Sequence, residues 1–129
     1  MRTSMMHIGL ADFANPALLI LGDPTSLNWL ADCIAARKSI DLATSPFVEL
    51  VSVGLNIAPT DEEGSCSRND ALLEWKISPA EALRFADQLR ALAASETPGH
   101  AYLDPVDNRA VLEIIASKGE YNAKTVLIH

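Results

Sequence analysis

Two sets of residues in this chain have types and spacings that could do chemistry. The first is acidic: Asp61-Glu62-Glu63, with Asp70 beyond it, in the polar stretch 58–70. Carboxylates clustered on one loop could receive a basic partner or a divalent cation. As a metal loop the stretch fails, because it lacks the alternating D-x-[DN]-x-[DN]-G pattern with a distal Glu. A solvated hairpin tip is the plainer reading. The second set is His100, Tyr102 and Asp104, which alternate along an expected strand and so share one face. Glu120 and Tyr121 follow in a later turn and extend that patch. An imidazole and a phenol beside carboxylates could move protons. No nucleophile completes the constellation, and two ligands near one strand are too few for a metal.

Other reactive side chains lack the frame their chemistry needs. Cys33 and Cys66 show no CxxC or Cys/His spacing, so two free thiols in a reducing compartment are expected. Ser65 and Ser67 stand in Gly64-Ser65-Cys66-Ser67-Arg68, which is not a nucleophile elbow. No phosphate-binding glycine loop is present. Gly22-Asp23-Pro24 could offer a helix start to an anion, but Asp23 fills that place with its own carboxylate. Trp29 and Trp75 could each expose an edge to a partner; for Trp75, on an apolar alternating face, core packing is the better reading. The sequence calls for no cofactor and no metal.

The elements that must position these residues fall into two similar halves. Residues 17–22 form an apolar run ending at Asp23-Pro24; residues 72–77 form another ending at Ser78-Pro79. Proline suits the first helical position, and Asp or Ser before it caps the open N–H groups. Leu27, Leu30, Ala31 and Ile34 share one helix face, with Arg37-Lys38 expected in the last turn. Ser78 with Glu81 forms a capping box, and Ala82, Phe85, Ala86, Leu89 and Ala93 form the second stripe. An offset of 55 residues without a gap pairs Pro24 with Pro79 and Ile34 with Leu89. Each half therefore reads as strand, proline-started helix, strand.

Between and after the helices the pattern is strand-like. From Phe47 the apolar residues alternate, but their parity switches between Leu50 and Val51, which predicts a bulge near 49–51 or burial on both faces. Residues 39–46 read as a loop, and 58–70 as a mobile one. The strands around 47–57 and 71–77 are expected to pair antiparallel across it. Residues 100–103 and 110–116 suggest a hairpin about Asp104–Asn108, and 124–128 a short last strand. The sum is a single α+β domain over 1–129, with 1–7 disordered and Met5 or Met6 an alternative start. Its architecture reads as a two-layer sandwich: a mostly antiparallel sheet, two helices on one face, and a tandem β-α-β repeat. The repeat resembles the duplicated βαβ logic of ferredoxin-like folds.

A chain of 129 residues can bury about two-thirds of its unfolded surface without staples. Its formal net charge of −7 argues against a nucleic-acid surface and against anionic membranes. No stretch approaches the roughly 18 apolar residues of a membrane helix, and the start has no secretory pattern, so a cytoplasmic protein is expected. The acidity suits a basic partner, with attraction that weakens in salt.

Four short motifs carry a resemblance: Leu21-Gly22-Asp23-Pro24-x-Ser26-Leu27-x-x-Leu30, the Trp75 strand leading to Ser78-Pro79-x-Glu81, Gly99-His100-Ala101-Tyr102-Leu103-Asp104, and Ser117-Lys118-Gly119-Glu120-Tyr121. Together they span roughly 17–121 and look like small bacterial proteins similar to the immunity proteins of polymorphic toxin systems. That resemblance implies a non-enzymatic protein that binds and blocks a cognate toxin. On it, Asp61, Glu62, Glu63 and Asp70 form one expected contact patch, and His100, Tyr102, Asp104, Glu120 and Tyr121 a second. The alternatives are a small-molecule-binding or enzymatic domain using the sheet face around His100 and Tyr102, and a homodimeric assembly module.

Overall fold

The computed structural model of the chain describes residues 5–110 and 112–128. The disorder expected for 1–7 falls outside the described residues for 1–4. Met6 and His7 open the first strand, and Met6 is fully buried.

Ten strands and three helices follow in the order β1 (Met6–Ala11), β2 (Ala17–Leu21), α1 (Pro24–Ala35), β3 (Ile40–Asp41), a 3-10 turn (Leu42–Thr44), β4 (Val48–Val51), β5 (Gly54–Pro59), β6 (Ser65–Asn69), β7 (Leu72–Ile77), α2 (Pro79–Ala94), β8 (Gly99–Tyr102), β9 (Asp107–Asn108), β10 (Glu113–Lys118) and α3 (Ala123–Val126). The α+β class is as the sequence predicts. The single, mostly antiparallel sheet is not. Two five-stranded mixed sheets form instead, β4-β1-β2-β10-β8 and β3-β5-β7-β6-β9.

The repeat is larger than strand, helix, strand. In the first half β1 pairs antiparallel with β2, β1 parallel with β4, and β3 antiparallel with β5. In the second half β6 pairs antiparallel with β7, β6 parallel with β9, and β8 antiparallel with β10. The last hairpin of each half then crosses over: β5 lies parallel to β7, and β10 parallel to β2. Each half is thus ββαβββ, and the two exchange their final strands. The offset is 55 between Pro24 and Pro79 and 59 between Gly54 and Glu113. The four added residues match the difference between the 12 residues of α1 and the 16 of α2, about one helical turn.

Both helix starts close reciprocally. Asp23 Oδ1 accepts from Ser26 N–H at 2.8 Å while Ser26 Oγ accepts from Asp23 N–H at 2.9 Å. Ser78 and Glu81 do the same at 3.3 and 3.0 Å. The helix ends differ. Arg37 lies outside α1, not in its last turn, and takes a left-handed φ of 59°. Lys38 N–H bonds Cys33 C=O and Arg37 N–H bonds Ile34 C=O, a Schellman ending with arginine where glycine is usual. The Arg37 guanidinium donates to Ile77 C=O at 2.8 Å and Thr60 C=O at 3.0 Å, tying the end of α1 to the second sheet.

One core joins all of these elements. Ile8, Leu18, Ile20 and Ile114 of the first sheet, Leu55, Leu73 and Trp75 of the second, and the stripes of both helices form a single buried cluster. Trp75 packs on Phe85 with ring centroids 5.7 Å apart. A second, smaller cluster lies on the opposite face of the first sheet, where Ala17, Leu19, Leu21, Val51 and Ile115 meet Leu127.

Several local expectations are corrected. Of the two readings of the parity switch at Leu50–Val51, burial on both faces holds and the bulge does not. On β4 Leu50 packs against the main core and Val51 joins the outer cluster. Ser52, at φ 60°, then turns the chain to β5 in the second sheet. The stretch 58–70 is not all loop, since β6 occupies 65–69 with Cys66 in the core. The strands around 47–57 and 71–77 pair parallel through β5 and β7, because β6 supplies the antiparallel neighbour. Residues 39–46 hold β3 and the 3-10 turn. The expected strand at 124–128 is the one-turn helix α3, capped by Asn122. The expected pairing of β8 with β10 forms, antiparallel, but the stretch Asp104–Asn108 is no simple turn, since it carries β9 into the second sheet.

Candidate functional site

The two acidic groups expected on one loop are separated. Asp61, Glu62 and Glu63 are exposed in the turn between β5 and β6. Asp61 Oδ1 is 3.7 Å from Arg37 Nη2, and its side chain is fully exposed. Asp70 lies past the other end of β6, in the tight β6–β7 turn, with φ 58°. Five strand residues at about 3.3 Å each place roughly 17 Å between them. Asp70 therefore does not join the patch; its carbonyl accepts from Arg68 Nε.

The second patch does assemble, with one exception. The outer face of the first sheet carries two rows across its strands. Glu49, His7, Leu21, Ser117 and His100 lie in one, and Val51, Gly9, Leu19, Ile115 and Tyr102 in the next. His100 and Tyr102 stand on β8 at the sheet's edge, with their rings edge-on at 5.4 Å. The turn after β10 returns Glu120 beneath His100, whose Nδ1 lies 3.1 Å from both carboxylate oxygens. Ser117 Oγ donates to Glu120 Oε1 at 2.7 Å. Burial raises the Glu120 carboxyl pKa, but the hydrogen bonds from Ser117 and His100, with the charge of His100, outweigh it and hold the group below its ordinary value. Asp104 is the exception. It lies beyond β8, and its Oδ1 accepts from Ile114 N–H at 2.8 Å, closing the β8–β10 connection.

Two residues that sequence reasoning missed complete this patch. Phe13 packs on Tyr121 at 5.8 Å between centroids, and Glu113 opens β10 on the same face. With Asn15, His100, Tyr102, Ile115 and Tyr121 they line a cavity of about 260 Å³. With Ile8 and Leu10, Phe13 reads as part of a short edge strand, but β1 ends at Ala11 and Phe13 lies in the connection after it. Glu113 reads only as a polar residue within an apolar strand. Tyr102 is 51% exposed and Tyr121 45%, so both rings border the opening.

The serine, carboxylate and imidazole in contact here do not form a nucleophilic triad. Glu120 accepts from Ser117 and contacts His100, and among the described residues no hydrogen bond joins the Ser117 hydroxyl to an imidazole. Ser117 is itself buried, with Oγ also directed at Gly99 C=O at 3.4 Å. The thiols are no better placed. Burial pushes the Cys66 thiol up to about 11, and burial also raises Cys33, with Lys38 opposing and Asp32 adding to the shift. Trp75 is wholly in the core, while Trp29 is partly buried against Phe47 at 6.0 Å. Among the described residues no three His, Cys, Asp or Glu side chains gather as a metal site.

A second cavity, of about 370 Å³, lies over β3, β5 and β7 and is lined by Asp41, Asn56, Glu74 and Lys76 among others. Among the described residues no helix is long and apolar enough to cross a membrane. Comparison with protein-family models, with curated proteins and with solved structures finds no match to this chain.

Proposed function

We propose that this chain is a non-enzymatic, acidic protein-binding domain of the cytoplasm, acting as an immunity protein that neutralises a basic toxin. The observation that carries this reading is the face at β8. There two half-exposed tyrosines border a cavity, with the carboxylates of Glu113 and Glu120 beside them. Tyrosines of this kind dominate binding energy in protein interfaces. The exposed Asp61, Glu62 and Glu63 and the net charge of −7 add long-range attraction for a cationic surface. The resemblance to immunity proteins supports the same role.

The test is capture of a partner from the source cell's lysate at low and high salt, read by mass spectrometry, with two variants alongside. One dominant basic protein is expected. It should be lost at high salt and lost with Tyr102→Ala/Tyr121→Ala. Reversing Asp61, Glu62 and Glu63 to lysine should slow its association and flatten the salt dependence. A partner that is retained by both variants, or no partner at either salt, removes the reading. The cavity itself favours a second reading, a small-ligand site at His100 and Tyr102. Ligand-dependent stabilisation of the chain without any protein partner would move the weight there. A homodimer through a sheet edge is the third, and a solution mass near twice 13.9 kDa would support it.

A further inference from the structure

We propose that the cavity at β8 receives a single guanidinium group, an arginine side chain presented by a partner. The inference rests on the binding-protein reading and names the chemistry of its contact. Three observations lead to it. The walls are aromatic: Phe13 and Tyr121 pack at 5.8 Å with their planes at 41°, and Tyr102, on the edge strand β8, lines the same cavity. Such rings present negative faces to a cation, and a guanidinium stacks on them with less loss of hydration than an ammonium. Glu113 supplies a carboxylate at the wall. Its one hydrogen bond among the described residues is a long 3.5 Å contact from Asn15 Nδ2, which leaves acceptor capacity for a two-pronged donor. Finally, the imidazole in the wall is paired with a carboxylate, since both Glu120 oxygens lie 3.1 Å from His100 Nδ1.

The other cavity makes a useful contrast. Over β3, β5 and β7 the lining includes Asp41, Glu74 and Lys76, and its one aromatic residue, Trp75, is wholly buried in the core. A cation finds carboxylates there but gains no ring face.

The experiment titrates the full chain with N-acetyl-arginine amide and follows the ring resonances of Phe13, Tyr102 and Tyr121 by NMR. The comparison ligand is N-acetyl-citrulline amide, which has nearly the same shape without the charge. Saturable shifts confined to this cavity are expected with the arginine probe, with binding at least about tenfold weaker for citrulline. Glu113→Gln should weaken the arginine probe by about tenfold and Tyr121→Ala by about fivefold, with the citrulline probe unchanged in both. No saturable shift, equal binding of the two probes, or a Glu113→Gln chain that binds arginine as before would each overturn the proposal. No partner is present in this titration. Its failure therefore removes the guanidinium site alone, and capture with the lysine-reversed loop still judges the binding-protein reading.

Discussion

The two sheets share one pairing pattern but not one fate. Facing the helices they are alike: Leu18 and Ile20 on β2 stand where Leu73 and Trp75 stand on β7, and all four are buried in the common core. On the outer face they part. Leu19 and Leu21 correspond to Glu74 and Lys76, and Ile115 on β10 corresponds to Asn56 on β5. The first sheet is apolar on both sides, so its outer face must be covered, and Leu127 with the flanking Ala123 and Val126 covers it. The second sheet alternates and meets water directly. The lesson is that topology fixes the strands while the outward residues decide which sheet recruits a lid. The candidate binding face lies at the margin of that lid, where the segment after β10 brings Glu120 and Tyr121 against the edge strand β8.

The largest effect should come from reversing this difference. Leu19→Glu places a charge in the small outer cluster and should cost more than about 4 kcal/mol, because a charge buried without a partner is the most expensive lesion available. Leu19→Ala should cost about 2–5 kcal/mol. The matching change Glu74→Leu, on the bare sheet, should stay within about 0.5 kcal/mol. Urea unfolding of the three variants checks this. Equal losses at positions 19 and 74 would mean that the outer cluster contributes nothing to stability.

A second contrast lies at the helix ends. α2 leaves through Ser95 in an extended conformation, whereas α1 ends on left-handed Arg37. Arg37→Ala removes two charge-assisted bonds, to Ile77 at the end of β7 and to Thr60 just past β5, and should cost about 2–3 kcal/mol. Arg37→Gly loses the same bonds but relieves the left-handed backbone, so it should be milder by about 1 kcal/mol. A glycine variant no more stable than the alanine variant would show that the backbone stores no strain there.

Much of the helical frame was legible in the sequence because its signals are local. Asp23-Pro24 and Ser78-Pro79 with Glu81 announce their helices within a single turn, and the stripes from Leu27 and Ala82 give the buried faces. The strand partners were not legible, since pairing is decided far away in the chain. Ser65–Asn69 reads as a polar loop because its outer side chains face water and only Cys66 reports the core. The parity switch beside Val51 was visible, and burial on both faces of β4, one of its two readings, holds. The crossing to a second sheet that follows leaves no separate mark in the pattern. His100, Tyr102, Glu120 and Tyr121 were identified as a patch and do come together. Asp104 and Asp70 do not join the groups they are expected beside: Asp104 closes the β8–β10 connection and Asp70 sits in the β6–β7 turn. Phe13 and Glu113 enter through the β1–β2 connection and the β10 register, which no spacing in the sequence reveals.

Next in size are the caps, where the two halves should respond alike. Asp23→Ala and Ser78→Ala each open a reciprocal box and should cost about 1 kcal/mol. Gly64→Ala should act on the second half alone. A Cβ at that position would fall 1.6 Å from Glu81 Oε1, so the carboxylate must leave Ser78 N–H. A thermal shift for Gly64→Ala at least as large as for Ser78→Ala is expected. No shift would mean that Glu81 can swing aside freely.

The smallest effect tests the margin of the lid. Glu120 is held ionised by Ser117 and His100, so its folded-state pKa lies below the ordinary value of 4.5. A carboxyl depressed in this way stabilises the fold fully above its unfolded pKa, and that contribution is lost as pH falls through the folded one. Glu120→Gln should therefore be less stable than the parent chain at pH 6, with a gap that narrows as pH drops below about 4.3 and the parent carboxyl takes up its proton. Side-chain exposure of about a quarter keeps the gap modest, because solvent screens the pair. Denaturant midpoints of both chains between pH 6 and 3 would follow it. A gap that stays constant across that range would mean that Glu120 acts through packing and not through its charge.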